Sequence, residues 1–407
     1  MKKLLSILCA AVLLATLVIT CVSCGGSSVS ADFKVGAILI GDENEGYTYA
    51  HINGIRTAAK ELGMSDDQII WKYTVPEDEK CYDAAIDLVE QGCSVIFSNS
   101  YGHQSHMKQA AQECPDVTFV AMTGDQAATS GLSNYKNAFT GVYQSRYVAG
   151  VVAGMKLAEL VADGKLTDAN YDGDNIKLGY VGAYPYAEVV SGFTAYYLGV
   201  KSVVENVTMQ VTYTNSWFDI TAEGTVAEAL AADGCVIISQ HADSTGAPAA
   251  VQALQDKGQV IYCVGYNVDM LSVAPNAALT SPTNTWAVYY KYAMETAANG
   301  GTIDTNWAKG YEVDAVGITA LGSACAAGTQ EKVDEVVKGL KDGSIKVFDT
   351  SKFTVGGATL TEYLADVDGD FAPDTNAIWD GYFHESEMRS APYFDIRIDG
   401  IVENNNN

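Results

Sequence analysis

Aromatic, amide and acidic side chains gather in six short stretches of the chain: Gly41–His51, Ser98–Gly102, Ala183–Tyr186, Asn215–Asp219, Gln240–Asp243 and Gly265–Met270. A planar molecule held between two rings, with carboxylates and amides reading its polar edge, needs this mixture. Tyr47, Asn99, Tyr101, Tyr184, Trp217, His241, Asp243, Asn267 and Asp269 are therefore the candidate ligand-binding residues, with Tyr47 and Trp217 as opposed stacking faces. Any single ring could equally cap a helix start or a sheet end; the set as a whole argues for a site.

Other chemistries have less behind them. His103 and His106 stand three apart on a helical stretch, with His51 and His241 elsewhere, but the pair has no Cys or Glu partner at ligand spacing and no CxxC occurs, so no metal is expected. Ser98, Ser100 and Ser239 lack a nucleophile-elbow motif, and no Walker loop is present. Asp243 and Asp269 could form a catalytic carboxylate pair, yet in a ligand pocket they more simply accept N–H donors. No catalytic residue and no cofactor is expected; a surface-anchored hydrolase acting on nucleosides is the alternative from another class.

The elements that must position these residues alternate with a regular period. FKVGAILIG, DQIIWKYTV, SVIFSNS and DVTFVAMTG read as strands, separated by helical patterns near 49–63, 79–92 and 103–113. After a long helix near 144–162, a second series follows: strands IKLGYVG, VTMQVTYT, CVIISQ, QVIYCVG and AALTS, with helices near 188–205, 220–232, 247–257 and 284–298. Near-continuous apolar strands between helices imply parallel sheets covered on both faces. The expected fold is α/β: two Rossmann-like lobes with parallel sheets joined by a hinge, of the periplasmic-binding-protein type I kind. Lobe 1 spans 33–142, lobe 2 spans 143–283 with the inter-lobe helix at its start, 284–345 returns to lobe 1, and 346–407 is a C-terminal extension ending in a disordered Asn tail from Asn404. Gly150 and Gly154 in the long helix predict a close helix–helix approach. In open parallel sheets ligands bind outside the carboxyl ends of the strands, where all six stretches lie.

Lys2 and Lys3, an apolar run over 4–22 and Cys21-Val22-Ser23-Cys24-Gly25-Gly26 read as a secretory leader over residues 1–23. A cysteine followed by Gly and Ser resembles the bacterial lipobox, which puts a lipid on Cys24 and a flexible tether over 24–32. Cys21 occupies the place where the lipobox usually has Leu, so processing at Cys21 stays open, as does an uncleaved membrane anchor. Either way the rest of the chain works on the extracytoplasmic face of the cell membrane. The net charge of −26 leaves no basic stripe for phosphates, which excludes nucleic acid as a partner. Cys93, Cys235 and Cys263 sit at the edge of or inside apolar strand runs, and the six cysteines Cys81, Cys93, Cys114, Cys235, Cys263 and Cys325 are expected as free thiols more than as a disulfide framework.

Four loops together carry a family likeness: Gly41-Asp42 with Gly46-Tyr47-Thr48-Tyr49-Ala50-His51, Asn215-Ser216-Trp217-Phe218-Asp219, Gln240-His241-Ala242-Asp243-Ser244, and Gly265-Tyr266-Asn267-Val268-Asp269-Met270. With these the chain resembles the basic membrane protein family of substrate-binding lipoproteins, which includes purine-nucleoside receptors, over 33 to about 345. The resemblance implies a monomer that binds a purine base or nucleoside, partners ABC permease subunits, and attaches to the membrane through its N-terminal lipid. Nucleoside-binding relatives usually have Asp where this chain has Asn267, and Lys after the strand ending at Ser281, where it has Pro282, Thr283 and Asn284. Those departures favour a free base or similar flat heterocycle over a ribose-bearing ligand. A sugar ligand on the same fold is the alternative.

Overall fold

The computed structural model describes residues 29–404 apart from Gly369; the leader, Cys24 and Asn405–Asn407 lie outside the described residues. The chain first lays down β1 (Val35–Ile38), α1 (Gly46–Glu61), β2 (Ile69–Lys72), α2 (Glu79–Glu90), β3 (Val95–Ser98), α3 (Gln104–Glu113), β4 (Thr118–Met122) and β5 (Tyr135–Thr140). The long α4 (Val142–Ala162) leads to β6 (Tyr171–Asp172), β7 (Asn175–Gly182), α5 (Ala187–Lys201), β8 (Val207–Tyr213), α6 (Ile220–Ala232), β9 (Ile237–Gln240), α7 (Gly246–Asp256) and β10 (Tyr262–Val264). Next come β11 (Pro282–Asn284), α8 (Trp286–Ala298), β12 (Asn306–Lys309), β13 (Val316–Ile318) and α9 (Thr329–Lys341). The C-terminal part adds β14 (Leu364–Ala365), β15 (Thr375–Asn376), β16 (Ile378–Trp379), β17 (Tyr382–Phe383) and β18 (Ile401–Glu403).

Two sheets result. The first runs β12-β5-β4-β3-β1-β2, parallel throughout; the second runs β10-β9-β7-β8-β18, also parallel, with β6 antiparallel on β7. Both faces of each sheet are covered. In the first, Ile55, Phe97 and Trp286 pack on one face and Ile38, Leu88 and Phe119 on the other. In both sheets the strand order reverses beside the first strand, between β1 and β3 and again between β7 and β9. The loops leaving such a pair turn away from each other and open a crevice at the carboxyl ends. This is the two-lobed architecture expected of the sequence.

Close packing of α4 on α5 depends on missing side chains. A Cβ on Gly150 would collide with the Tyr196 carbonyl oxygen, and one on Gly199 with that of Tyr147, so the helices touch backbone to backbone.

Three boundaries differ from the sequence reading. The tether is shorter, because Val29 packs on the first lobe's core and the Ser30 carbonyl accepts the Phe33 N–H and the Gln68 amide, each at 3.0 Å. Residues 286–309 run on the first lobe, but α9 lies on the second: Val333, Val336 and Leu340 form an apolar stripe that enters the core around α4. The extension is also built into the second lobe rather than trailing from it. Phe348, Phe353, Phe383, Tyr393 and Phe394 join that core, and β18 adds an outer strand beside β8. Even Asn404, expected in the disordered tail, donates its N–H to the Val211 carbonyl at 2.9 Å and its amide to Thr212 at 3.0 Å.

The six described cysteines are free thiols; Cys81, Cys93, Cys235 and Cys263 are buried and Cys114 and Cys325 half-buried. Among the described residues no helix is long and apolar enough to cross a membrane.

Candidate ligand-binding site

The loops after β1 and β3 face those after β7, β8, β9 and β10 across a cavity of about 300 Å³. Glu45, Tyr47, Asn99 and Tyr101 form its first-lobe wall; Glu188, Trp217, Asp243 and Tyr266 form the other. That volume stands at the lower end of the range, roughly 300–1,000 Å³, of small-molecule sites. A larger cavity of about 610 Å³ near Gly141 and Gly310 contains none of the nine candidate residues.

The first wall is fixed by the start of α1. Glu45 caps the helix, accepting the N–H groups of Tyr47 at 2.6 Å and Thr48 at 2.8 Å. The Tyr47 hydroxyl donates to the Asn99 carbonyl at 2.5 Å, which ties the β1 and β3 loops together and sets the ring. Asn99 uses its side chain inward, accepting the Ile40 N–H and donating to Thr48. The second wall is built round Trp217. Tyr184 meets it edge-on with ring centres 5.5 Å apart, and Tyr184 in turn stacks on Tyr186 at 5.1 Å.

Four acidic groups line the cavity: Glu45 and Glu77 from the first lobe, Glu188 and Asp243 from the second. Burial raises the Asp243 carboxyl well above the usual range, and repulsion from Glu45, Glu188 and Glu223 adds to it against the pull of Arg146. Asn267 donates to Asp243 Oδ1 at 2.8 Å and is itself held by the Asn284 amide at 3.1 Å. A left-handed backbone at Asn267 (φ 61°), tolerable for Asn, aims the amide at Asp243. The balancing cation is Arg146, wholly buried below the floor, 3.7 Å from the Tyr266 ring centre and donating to Tyr180 and Gln240. A cleft so lined favours a ligand that brings N–H donors on a flat body.

Of the nine candidates, Tyr47, Asn99, Tyr101, Trp217 and Asp243 line this cavity. Tyr184 braces Trp217 from behind, and Asn267 orients Asp243. His241 is fully buried 3.4 Å from Glu188, and burial together with nearby Arg146 keeps its imidazole neutral. Asp269 does not belong to the site: it is exposed, and its carboxylate closes the turn at Leu271 N, an ordinary role for Asp two residues before an N–H. It therefore forms no carboxylate pair with Asp243. Among the described residues the histidines do not converge either. His51 stacks on Trp286 and bonds Tyr290, and His103 bonds the Val75 carbonyl. Glu45, Glu188, Phe218 and Tyr266 were missed. Tyr266 stands inside the Gly265–Met270 loop and Glu188 two residues beyond the Ala183–Tyr186 loop, so their position after a strand was the available signal.

Glu188 carries a pH signature. Burial raises its carboxyl to about 7, opposed by Arg146. The folded state then holds a proton that the unfolded state has released between 4.5 and about 7, so stability falls as pH rises through that window. Glu188→Gln should raise the Tm of the ligand-free protein at pH 8 by on the order of 2 °C or more, and the gain should vanish below pH 4.5, where both side chains are neutral. Calorimetry across that range checks it; equal Tm values at pH 8 would mean that Glu188 ionises there without cost.

The profile of the family described as ABC transporter substrate-binding protein, PnrA-like, matches residues 38–349. A purine-binding protein of Brucella abortus (strain 2308) is 32% identical over 267 residues, 65% of this chain and 69% of that one. A protein of Haloferax volcanii, provisionally named an ABC transporter glucose-binding protein, is 28% identical over 277 residues, 68% of this chain and 64% of that one. Among solved structures, a solute-binding protein of an ABC transporter system from Aeropyrum pernix K1 superposes with a TM-score of 0.63 at 16% identity, covering 78% of this chain and 93% of that one. Another from Conexibacter woesei gives 0.60 at 18%, covering 77% and 98%. At such identities the likeness concerns the fold alone.

Proposed function

Because the chain belongs to the PnrA-like family of ABC transporter substrate-binding proteins, we propose that it captures a purine base, or a closely related flat heterocycle, between its lobes and delivers it to an ABC permease without chemical change. Membership implies a small-molecule ligand, permease partners and an extracytoplasmic place of work. The observation that carries the ligand reading is the meeting of Tyr47 and Trp217 with Asp243 and Glu188 around one small cavity. Two rings suit a planar body, and buried carboxylates suit its N–H edge. Asn267 stands where nucleoside-binding relatives usually carry Asp, no Lys follows Ser281 over Pro282–Asn284, and Asn267 with Asn284 is spent on orienting Asp243, which favours a base over a nucleoside. The Brucella relative's name supports the purine reading. Lipidation at Cys24 belongs to the same proposal, and a Cys24→Ser variant released from the membrane would support it.

A sugar is the second reading, favoured by the Haloferax relative's name. A thermal-shift screen of ligand-stripped protein over nucleobases, nucleosides, sugars and amino acids separates the two. A purine base should bind with Kd in the micromolar range or tighter, about −8 kcal/mol; a response to sugars with none to purines would overturn the reading. A nucleoside turnover assay tests the hydrolase alternative.

The rings supply the next test. Each should contribute about 1 kcal/mol or more by stacking in a desolvated cleft, so Trp217→Ala should weaken purine binding about tenfold or more. Tyr47→Phe should be milder than Tyr47→Ala, because it keeps the face and loses only the bond to the Asn99 carbonyl. A Trp217→Ala protein that binds purines normally would remove the ring from the site.

A further inference from the structure

The C-terminal extension lies beyond the family match, which ends at residue 349, yet it reaches the ligand cavity indirectly. Phe383, Tyr393 and Phe394 anchor it in the second lobe. Between them Arg389 extends toward the first lobe, with Nη1 3.7 Å from Asp125 Oδ2 and both side chains only 10% exposed. Asp125 follows β4 in the first lobe. The same Oδ2 accepts the Tyr101 hydroxyl at 3.0 Å, and Tyr101 walls the cavity. The guanidinium is itself aimed: Nε donates to the Ala391 carbonyl at 3.2 Å and Nη2 to that of Pro392 at 3.1 Å, which leaves Nη1 for Asp125. Two further contacts run the same way, Ser390 to Asn306 of β12 and Thr129 to the Asp368 carbonyl, each at 3.3 Å.

We propose that Arg389 is a positioning residue for the cleft: through Asp125 it holds Tyr101 at the cavity wall and ties the second lobe to the first when the lobes are closed. The extension thereby sets the balance between open and closed forms. A single carboxylate oxygen serves both contacts, so loss of the guanidinium would loosen the lobe contact and the ring together. Such a pair is a reversible clasp, because separation returns both charges to water and recovers their hydration. The consequence for affinity rests on reading this cavity as the ligand site; the tie between lobes does not.

The test compares wild type with Arg389→Ala, Arg389→Lys, Asp125→Asn and the Arg389→Ala/Asp125→Asn double variant. Small-angle scattering of ligand-free protein should give a larger radius of gyration for Arg389→Ala. Adenine and hypoxanthine should dissociate about tenfold faster or more from it, with association changed far less. Arg389→Lys should recover most of both effects, and the double variant should be no worse than the worse single one. Unchanged scattering and dissociation, or additive effects without rescue by lysine, would overturn the proposal. Should Arg389→Ala fail to fold, Asp125→Asn, which preserves shape, carries the same readouts. If neither purine binds wild type, the ligand reading fails while scattering still decides the clasp.

Discussion

Phe394→Ala should lower the unfolding free energy by about 3–5 kcal/mol, the range for deleting a buried aromatic ring. Phe394 is fully buried and stacks on Phe348 with ring centres 4.2 Å apart; Phe383 meets it edge-on at 4.9 Å, and Phe348 stacks on Tyr143 at the start of α4. Neighbours held on several elements cannot collapse into the space left behind, which puts the loss toward the upper end of that range. Denaturant titration measures it, and the control is Phe371→Ala in the same extension, 88% exposed and expected to be neutral. A loss below about 1 kcal/mol for Phe394→Ala would mean that the extension is an appendage rather than part of the second lobe's core.

Asp243→Ala should weaken purine binding about a hundredfold, since removing the partner of a buried ligand N–H leaves that group unsatisfied in a desolvated pocket, at a cost of about 1–3 kcal/mol. Asn267 occupies Oδ1, so Oδ2 remains for the ligand. Asp243→Asn keeps the shape and should also bind poorly, because an amide offers a donor where the ligand offers one too. Stability should move the other way. Burial and the neighbouring Glu45 and Glu188 hold the carboxyl well above its usual range, so Asp243→Asn should raise the Tm of the ligand-free protein near neutral pH. Calorimetry of binding and of unfolding on one preparation checks both signs. A variant that lost stability and binding together would place Asp243 among structural residues.

The period of apolar strands and helices was enough to place both sheets, and strand ends were enough to find the Tyr47, Asn99, Trp217 and Asp243 loops. What escaped has physical causes. Strand β5 is wholly buried but reads YKNAFT, with Lys136 and Asn137 where an apolar run would be sought. Asn137 is tolerated because it accepts the Ala127 N–H and donates to the Ala121 carbonyl, partners that exist only in the folded sheet. AALTS forms only a single bridge, at Ala278 to Cys263, before the chain leaves for β11. Asp269 and Asp243 look alike in sequence; only the fold turns one to solvent and the other into the cleft. The extension's aromatic residues have neither a helical nor a strand period, since they pack from turns and two-residue bridges, so composition alone made the segment look loose. Glu188 stands in the first turn of α5, where an acidic side chain ordinarily serves only the helix end, so nothing in its type or place announced burial.

Strand β18 has a bearing on how the molecule is made. It pairs in register with Met209, Gln210 and Val211 of β8 and forms the outer edge of a sheet whose other strands lie at least 130 residues earlier in the chain. The second lobe therefore waits for residues 401–403 to be synthesised, while the core of the first is complete by Ala315. Until then β8 presents an open row of backbone donors and acceptors, the kind of edge on which chains stick to one another. A chain cut short before Ile401 should keep a well-formed first lobe and aggregate through the second.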